Sequence, residues 1–465
     1  MFQTALSKRP LLQRLSSRFL GARRPPKAEG DLIDRFQSSL PDDGSNAASL
    51  PSTSSPPRLS FVDMHTFTLG FVNTHTNAHA NVNLKTLPGW PGPTPLHTLL
   101  MPSGDKVYVS YMGSKTEPVG VAVIKICSIN WTTGIADVVV MKNLQIDPAG
   151  ALSNFPKVTQ TNPAQPIATW NQSEFGQVHA PQFLPHSSFG YFNMWTDNRI
   201  FALNTATDTL APAQTFGALS QQLHGVHFNP AGKLGLSAGY FYDKGVVSLF
   251  RPDRRNGELT YVADIWLGTP KNYAAYAHTV LWLDNRYAVV GTMQFGPTSL
   301  TGAGSSIIPP GIWLVDARKR TAKQIIGQAK TVNDPGVLRS ASYVALAKRK
   351  LFVAEEDSLD GTFGNDGFVS VYDFKRPKHP VFIKRFRPGV EFPADFNVAH
   401  AFSVTPDDKS VFLESYNSGY IIKIDVASLK VVHIDHHDEH DDDGHGGSDH
   451  GGLVMPHGTW IAAGH

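Results

Sequence analysis

HAFSVTPDDKSVFLESYNSGYIIKIDV, residues 400–426, is the stretch whose reading decides the fold. It reads as three short β-branched and aromatic runs separated by turns rich in Pro, Asp, Asn, Ser and Gly, with a histidine at the head of the first run. The same phrase recurs along the chain. His97 opens HTLLMPSGDKVYVSY, His179 opens HAPQFLPHSSFGYFNMW, and His224 opens HGVHFNPAGKLGLSAGY. His278 opens HTVLWLDNRYAVVGT and His457 opens HGTWIAAGH. A turn residue stands six positions after the histidine at Pro185, Pro230, Asp284 and Pro406, and five positions after it at Pro102. SYVALAKRKLFVAEED, from Ser342, has the same shape without the histidine. A strand–turn–strand unit repeated in this way is the signature of a radial β architecture.

The runs between these starts, among them GVAVIKICSI, ADVVVMKNL, RIFALN, VVSLFRP, GIWLVDA, GFVSVYDF and YIIKIDV, read as strands, and no long capped helical period interrupts them. GIWLVDARKRTAKQI and YIIKIDVASLKVVHI read as hairpins at the outer edge of a blade. The seven starts lie 45 to 82 residues apart, where a four-stranded blade needs about 40–50, so several blades carry insertions. The last repeat ends eight residues after His457 and lacks its outer strands, which 61–85 can supply. The expectation is an all-β protein, a seven-bladed β-propeller closed by strands from both termini, with no free sheet edge at the closure.

Composition agrees. The chain has 465 residues, only 17% of them charged, with 40 Gly and 33 Pro, which suits a turn-rich β protein. A net charge of +2 argues against a nucleic-acid partner, and no apolar run approaches the ~18 residues of a transmembrane segment. A single cysteine, Cys127, excludes an internal disulfide and any cysteine-based metal cluster. Within VAVIKICSI it is expected to be buried.

Residues 1–28 carry seven Lys and Arg and no acid. This suits either a transit-like segment for a mitochondrion or another organelle, or a disordered basic arm on a cytoplasmic protein. Residues 29–60 form a Ser/Pro-rich linker. The folded domain is expected over 61–465, with an inserted His/Asp-rich loop at 433–450.

HAFSVTPDDKSVFLESYNSGYIIKIDV and HTLLMPSGDKVYVSYMGS resemble repeats of the YVTN/lactonase-like β-propeller superfamily. Within it, PLHT at 95–98 and PHG at 456–458 are similar to phrases in the propeller domain of nitrous oxide reductase. That resemblance implies a copper site ringed by histidines on the propeller axis. The chain departs from that family in having no second cupredoxin domain, no cysteine pair for its electron-entry copper and no paired histidines at a blade start. Copper-dependent methanethiol oxidases (selenium-binding proteins) are also His-bearing propellers, but their motifs are not found here.

If equivalent strands line one axis, His97, His179, His224, His278, His400 and His457 converge on it. Neutral imidazoles without sulfur suit a transition metal, copper foremost, with zinc or iron as alternatives. Each could instead bond a neighbouring carbonyl. Asp395, just before His400, could orient a ligand histidine. His227, three residues past His224, belongs on the opposite side or in the core. A further set of metal-ligand candidates is His65, His75 and His79, where HTNAH places two histidines four apart. The tract 433–450 holds six histidines and seven acids in eighteen residues; His436, His437, His440, His445 and His450 are its candidates, against a solvated loop without metal. Glu355, Glu356 and Glu414 are the carboxylates to weigh for acid–base work, against strand packing. No catalytic motif singles out a residue. The functional expectation is a metal-binding propeller, a copper-type redox protein acting on a small molecule. The alternative is a non-catalytic metal-binding or protein-interaction scaffold.

Overall fold

The computed structural model describes residues 58–148 (65 and 115 excepted), 178–194, 199–216, 223–239, 245–274, 277–293, 308–327, 341–357, 363–415, 418–436 and 459–460. The transit-like segment, most of the linker, His65, His457 and most of the His/Asp-rich loop fall outside them. Among the described residues the regular structure is strand, apart from one 3-10 turn at Leu84–Thr86. No helix among them is long and apolar enough to cross a membrane.

Four antiparallel sheets each hold four consecutive strands, beginning at Leu223–Phe228, Ala277–Trp282, Val344–Ala347 and Ala399–Val404. A further sheet starts at Val178–Phe183 and splits its outer edge between Thr209–Leu210 and Gln214–Thr215. The largest sheet has eight strands. One half of it runs from Thr459–Trp460 through Arg58–Asp63 and Thr68–Asn73 to His79–Asn83, and the other from Pro95–Leu100 to Ile135–Asp147. The halves meet at a single parallel pair, Asn81 with Ile135. The first and last described strands share this sheet, Leu59 pairing Trp460 and Ser60 pairing Thr459. The outer hairpins read from the sequence are present, as Ile312–Asp316 with Thr321–Ile326 and as Tyr420–Asp425 with Lys430–His436.

Alternating residues of each strand bury one side against the preceding sheet and the other against the next. Phe192, Met194, Phe201 and Leu203 pack with Leu99, Val121 and Val123 of the sheet before them. Tyr191, Ile200 and Ala202 of the same strands pack with Leu223, Val226 and Phe250 of the sheet after. The succession returns to its start, because Phe412 and Ile421 of the last sheet pack with Leu59, Phe61 and Val72 of the first. Successive sheets stacked face to face and closing on themselves make a β-propeller arrangement. At that closure Phe61 lies across from Gly70, and a Cβ there would fall 2.0 Å from the ring. Polar bonds also cross between the two halves of the first sheet and between neighbouring sheets. Ser60 Oγ donates to Thr98 Oγ1 at 3.0 Å, Ser110 Oγ to the Val178 carbonyl at 2.9 Å, and Lys423 Nζ to the Thr74 carbonyl at 2.7 Å.

One expectation fails. Cys127 is exposed. Ile126 pairs Val138 and Ser128 pairs Asp137, so Cys127 is the extra residue of a β-bulge. A bulge residue has no cross-strand partner and resets the alternation, which a six-residue apolar run does not reveal.

Candidate metal centre

The described histidine-headed strands share a feature absent from the sequence reading: the ladder breaks at the histidine or beside it, with His224, His278 and His400 inside the break and His97 and His179 paired at its edge. Register shifts fall between Pro95 and His97, His179 and Gln182, Leu223 and Val226, Ala277 and Val280, and Ala399 and Phe402. A bulge leaves a residue out of the ladder and re-aims its side chain. In the Leu223–Phe228 strand the device includes Gly225 at φ +75°, which a side chain would resist.

Three of these histidines come together, each from a different sheet. The His224 and His278 rings lie 4.2 Å apart between centroids, and His278 and His400 lie 6.0 Å apart. Their exposures are 2%, 1% and 6%. Burial drives the His400 pKa down to about 3, so its ring is neutral at physiological pH. His278 Nδ1 lies 2.9 Å from the Ser342 carbonyl. A carbonyl only accepts, so Nδ1 carries the hydrogen and Nε2 keeps the lone pair.

Sequence reasoning missed the fourth member, Tyr343. Its ring lies 4.6 Å from His400, 4.7 Å from His278 and 6.0 Å from His224, in edge-to-face contacts. It belongs to the repeat without a histidine, one residue past the Ser342 that was aligned with the others. The signal was there: an aromatic residue stands where the other repeats place an imidazole.

The remaining described candidates have these settings. His97 is buried at its own strand start, 5% exposed, its N–H on Ser110 Oγ. His179 lies in the Val178–Phe183 strand, opposite Asn193. His75 sits exposed in a turn, its N–H on Asn73 Oδ1. His79 is not on the axis. It pairs Val72 on the outermost strand of its half-sheet, where Nδ1 meets Asp435 Oδ2 at 3.1 Å and the ring stacks 6.1 Å from His433. His436 is exposed and stacks on Tyr420 at 4.0 Å. The described partner of Asp395 is the Tyr420 hydroxyl, which donates to it at 2.9 Å. His437, His440, His445 and His450 lie outside the described residues. His227 is partly buried; its Nε2 is enclosed without a hydrogen-bond partner, and burial lowers its pKa to about 4. Glu355 is fully buried in its own sheet, held by Arg385 Nε at 3.1 Å and by Ser370 Oγ. That is a structural ion pair rather than an acid–base group. Glu414 is fully buried too, and only the backbone of Glu356 is described.

The donor set fits a transition metal in chemistry: three buried imidazoles, that of His400 held neutral by burial and that of His278 with its lone pair at Nε2. It is not a closed ligand sphere, since no group of three or more His, Cys, Asp or Glu among the described residues is placed to hold a metal ion.

No known protein family and no curated protein matches the chain. Solved structures do. The chain is similar to a hypothetical selenium-binding protein of Sulfolobus tokodaii, at 12% identity and a TM-score of 0.54, over 88% of this chain and 95% of that one. It is also similar to the periplasmic gluconolactonase of Pseudomonas aeruginosa, at 12% identity and a TM-score of 0.53, over 88% and 100%. A protein of unknown function from Desulfotomaculum acetoxidans aligns at 13% identity and a TM-score of 0.53, over 82% and 95%. At such identities the likeness shows the fold alone, and the resemblance of PLHT and PHG to nitrous oxide reductase rests on those residues alone. What the comparisons establish is a β-propeller with lactonase-like and selenium-binding-type neighbours.

Proposed function

We propose that the protein is a seven-bladed propeller that binds a transition metal, copper foremost, at its axis and serves as a redox protein for a small molecule. The count of seven treats the eight-stranded sheet as two blades, because its halves share one bridge pair. The observation that carries the metal reading is the meeting of His224, His278 and His400, from three sheets, as buried rings 4.2 and 6.0 Å apart. A scaffold has no need to bring histidines 54 and 122 residues apart to one point. His97, His179 and His457 join the assignment by repeat position.

The chain's own residues have definable parts. Ser342 holds His278 by Nδ1 and so directs Nε2 to the ligand position. Burial keeps His400 neutral and ready to bind. The surrounding rings exclude water. A bound copper ion would supply one-electron chemistry.

A second reading, a protein-interaction scaffold, is favoured by the exposed apolar stripe Ile135, Val139 and Met141 on an outer strand, 60%, 48% and 59% exposed. Metal analysis of the purified chain after copper-replete expression separates the two. Wild type should retain tightly bound metal, His278→Ala and His400→Ala should lose it, and His186→Ala and His379→Ala, at exposed positions, should keep it. A wild type without bound metal overturns the metal reading and leaves the scaffold.

A further inference from the structure

We propose that the uncovered face of the hairpin formed by Val119–Asn130 and Ile135–Asp147 is a docking surface for a second copy of this chain, related to the first by a two-fold axis. The inference stands apart from the metal reading and gives the exposed apolar stripe an occupant. These two strands have 12 and 13 residues, against six for Lys106–Tyr111 beside them. The outer edge of the neighbouring sheet is made of two-residue strands, Thr209–Leu210 and Gln214–Thr215. One face of the hairpin is therefore covered at one end and bare at the other. Val121, Val123 and Leu144 pack against Phe192 and Leu203 of the neighbouring sheet. Beyond them the same face continues as Lys125, Ser128 and Asn130 on one strand and Val139, Asp137 and Ile135 on the other, all exposed. The opposite face is already used, because Ile126, Ala136 and Val138 lie in the core with Leu84.

The charges decide the occupant. Across the ladder Lys125 pairs Val139, Ser128 pairs Asp137 and Asn130 pairs Ile135. Lys125 and Asp137 thus stand at diagonal corners of a four-residue patch whose other corners are Val139 and Ser128. A two-fold axis lying in the interface along the Val139–Ser128 diagonal exchanges the charged corners. It sets Lys125 over Asp137 of the second copy, Asp137 over Lys125 of that copy, and Val139 on Val139. A patch that complements itself under a two-fold is what an isologous dimer requires. Neither Lys125 nor Asp137 has an ion-pair partner among the described residues, so both charges are available to a second copy. Two bulges enlarge the contact. Their extra residues are Cys127 on one strand and Met141 on the other, both exposed. Covering Ile135, Val139 and Met141 removes apolar surface from water. The patch is smaller than a standard interface, so the dimer should be weak, with a Kd of roughly 10–100 µM.

The test is sedimentation velocity on the purified full-length chain from about 1 to about 200 µM, a range set by the expected Kd. Wild type should pass from monomer to dimer across that range, and Val139→Asp should remain monomeric. Lys125→Asp and Asp137→Lys should each weaken the dimer about tenfold or more, because the symmetry counts each like-charge contact twice. The combined variant Lys125→Asp/Asp137→Lys rebuilds both pairs in reverse and should recover wild-type association. If Val139→Asp does not fold, Val139→Thr, which keeps the branched shape and removes a methyl group, should still weaken the dimer. Cys127, the only cysteine of the chain, adjoins Ser128 on the axis. A short bis-maleimide should therefore link wild type into a covalent dimer and leave Val139→Asp monomeric. A wild type that stays monomeric throughout overturns the proposal and leaves the stripe to a partner of another kind. A dimer that survives Val139→Asp and both single charge reversals also overturns it, because another surface would then be in use. Weakening by the single reversals without recovery in the combined variant overturns the two-fold pairing. None of these outcomes bears on the metal reading.

Discussion

The propeller holds two groups of histidines, one at the heads of its inner strands and one on its rim, and they differ in everything but residue type. At the inner end His224, His278 and His400 are buried and their rings cluster with Tyr343, and His278 has a backbone carbonyl as its described polar partner. On the rim His79 meets a carboxylate, Asp435, stacks on His433, and stays about one-fifth exposed. A little further along, the exposed His436 stacks on Tyr420. Burial without charge keeps an imidazole neutral, and a neighbouring carboxylate in partial solvent favours its charged form. The first setting suits a metal ligand. The second suits a clasp between the first and last sheets, with Lys423 bonded to Thr74 and Asn77 beside it.

Acid breaks this comparison most sharply. His400 has its pKa lowered from 6.5 to about 3 by burial, and His227 to about 4. The unfolded chain therefore takes up protons below about pH 6.5 that the folded chain refuses. Stability contributed by these rings is complete above pH 6.5. It falls as the pH drops toward the folded values, at up to about 1.4 kcal/mol per pH unit for each ring. His400→Leu should flatten the dependence of unfolding free energy on pH between about 6.5 and 3, a change of a few kcal/mol by pH 4. His227→Leu should flatten it over the narrower window ending near 4. Urea unfolding at a series of pH values measures both. A His400→Leu curve parallel to wild type would mean that water reaches the ring and that the inner end is not dry.

Much of this was legible in the sequence, and the reasons for the rest are local. Alternating apolar residues and the six-residue spacing from His to turn located the inner strands, and the truncated last repeat pointed to a closure by 61–85; the strand that pairs with Thr459–Trp460 does so through Leu59 and Ser60, just ahead of that range and within the stretch read as linker. Cys127 and the re-aimed strand heads escaped because a bulge depends on pairing register, which no single strand encodes. Tyr343 escaped because the search followed histidine rather than the position it occupies. The clasp of His79 with Asp435 joins residues 356 apart in the chain. Only ring closure brings them together, so neighbouring residues carry no trace of it. Asp395 was read against the nearest histidine in sequence, but its hydroxyl donor comes from the Tyr420–Asp425 strand.

The rim clasp gives a smaller effect. Lys423 Nζ donates to the Thr74 carbonyl at 2.7 Å and to Asn77 Oδ1 at 2.9 Å, joining the last sheet to the first. Its Nζ lies over the Phe412 ring, 5.5 Å from the centroid. Lys423→Met keeps the stem and removes both bonds. Hydrogen bonds to a charged group contribute about 1.5–3 kcal/mol when desolvated, and partial exposure reduces that to about 1 kcal/mol here. The loss should appear in thermal unfolding, with copper retention at the axis unchanged. If Lys423→Met also lost the metal, the closure of the ring and the geometry of its axis would be coupled, and the two histidine groups could no longer be treated as independent.

The smallest effect belongs to Tyr420. Its hydroxyl donates to Asp395 at 2.9 and 3.0 Å, and its ring carries His436 at 4.0 Å with 14° between planes. Asp395 is exposed, so water replaces the lost donor when Tyr420→Phe removes it. The ring remains to pack against Phe396 and to stack on His436. The cost should be about 0.5 kcal/mol or less, the range of a solvent-competed hydrogen bond. Tyr420→Ala should cost several times more, because it also removes apolar surface that is 93% buried, as the 7% exposure of Tyr420 implies. The two variants together separate what the rim tyrosine does with its oxygen from what it does with its ring. A Tyr420→Phe variant as unstable as Tyr420→Ala would show that Asp395 fixes the rim through that single bond, and that exposure is a poor guide to which contacts hold this edge of the propeller.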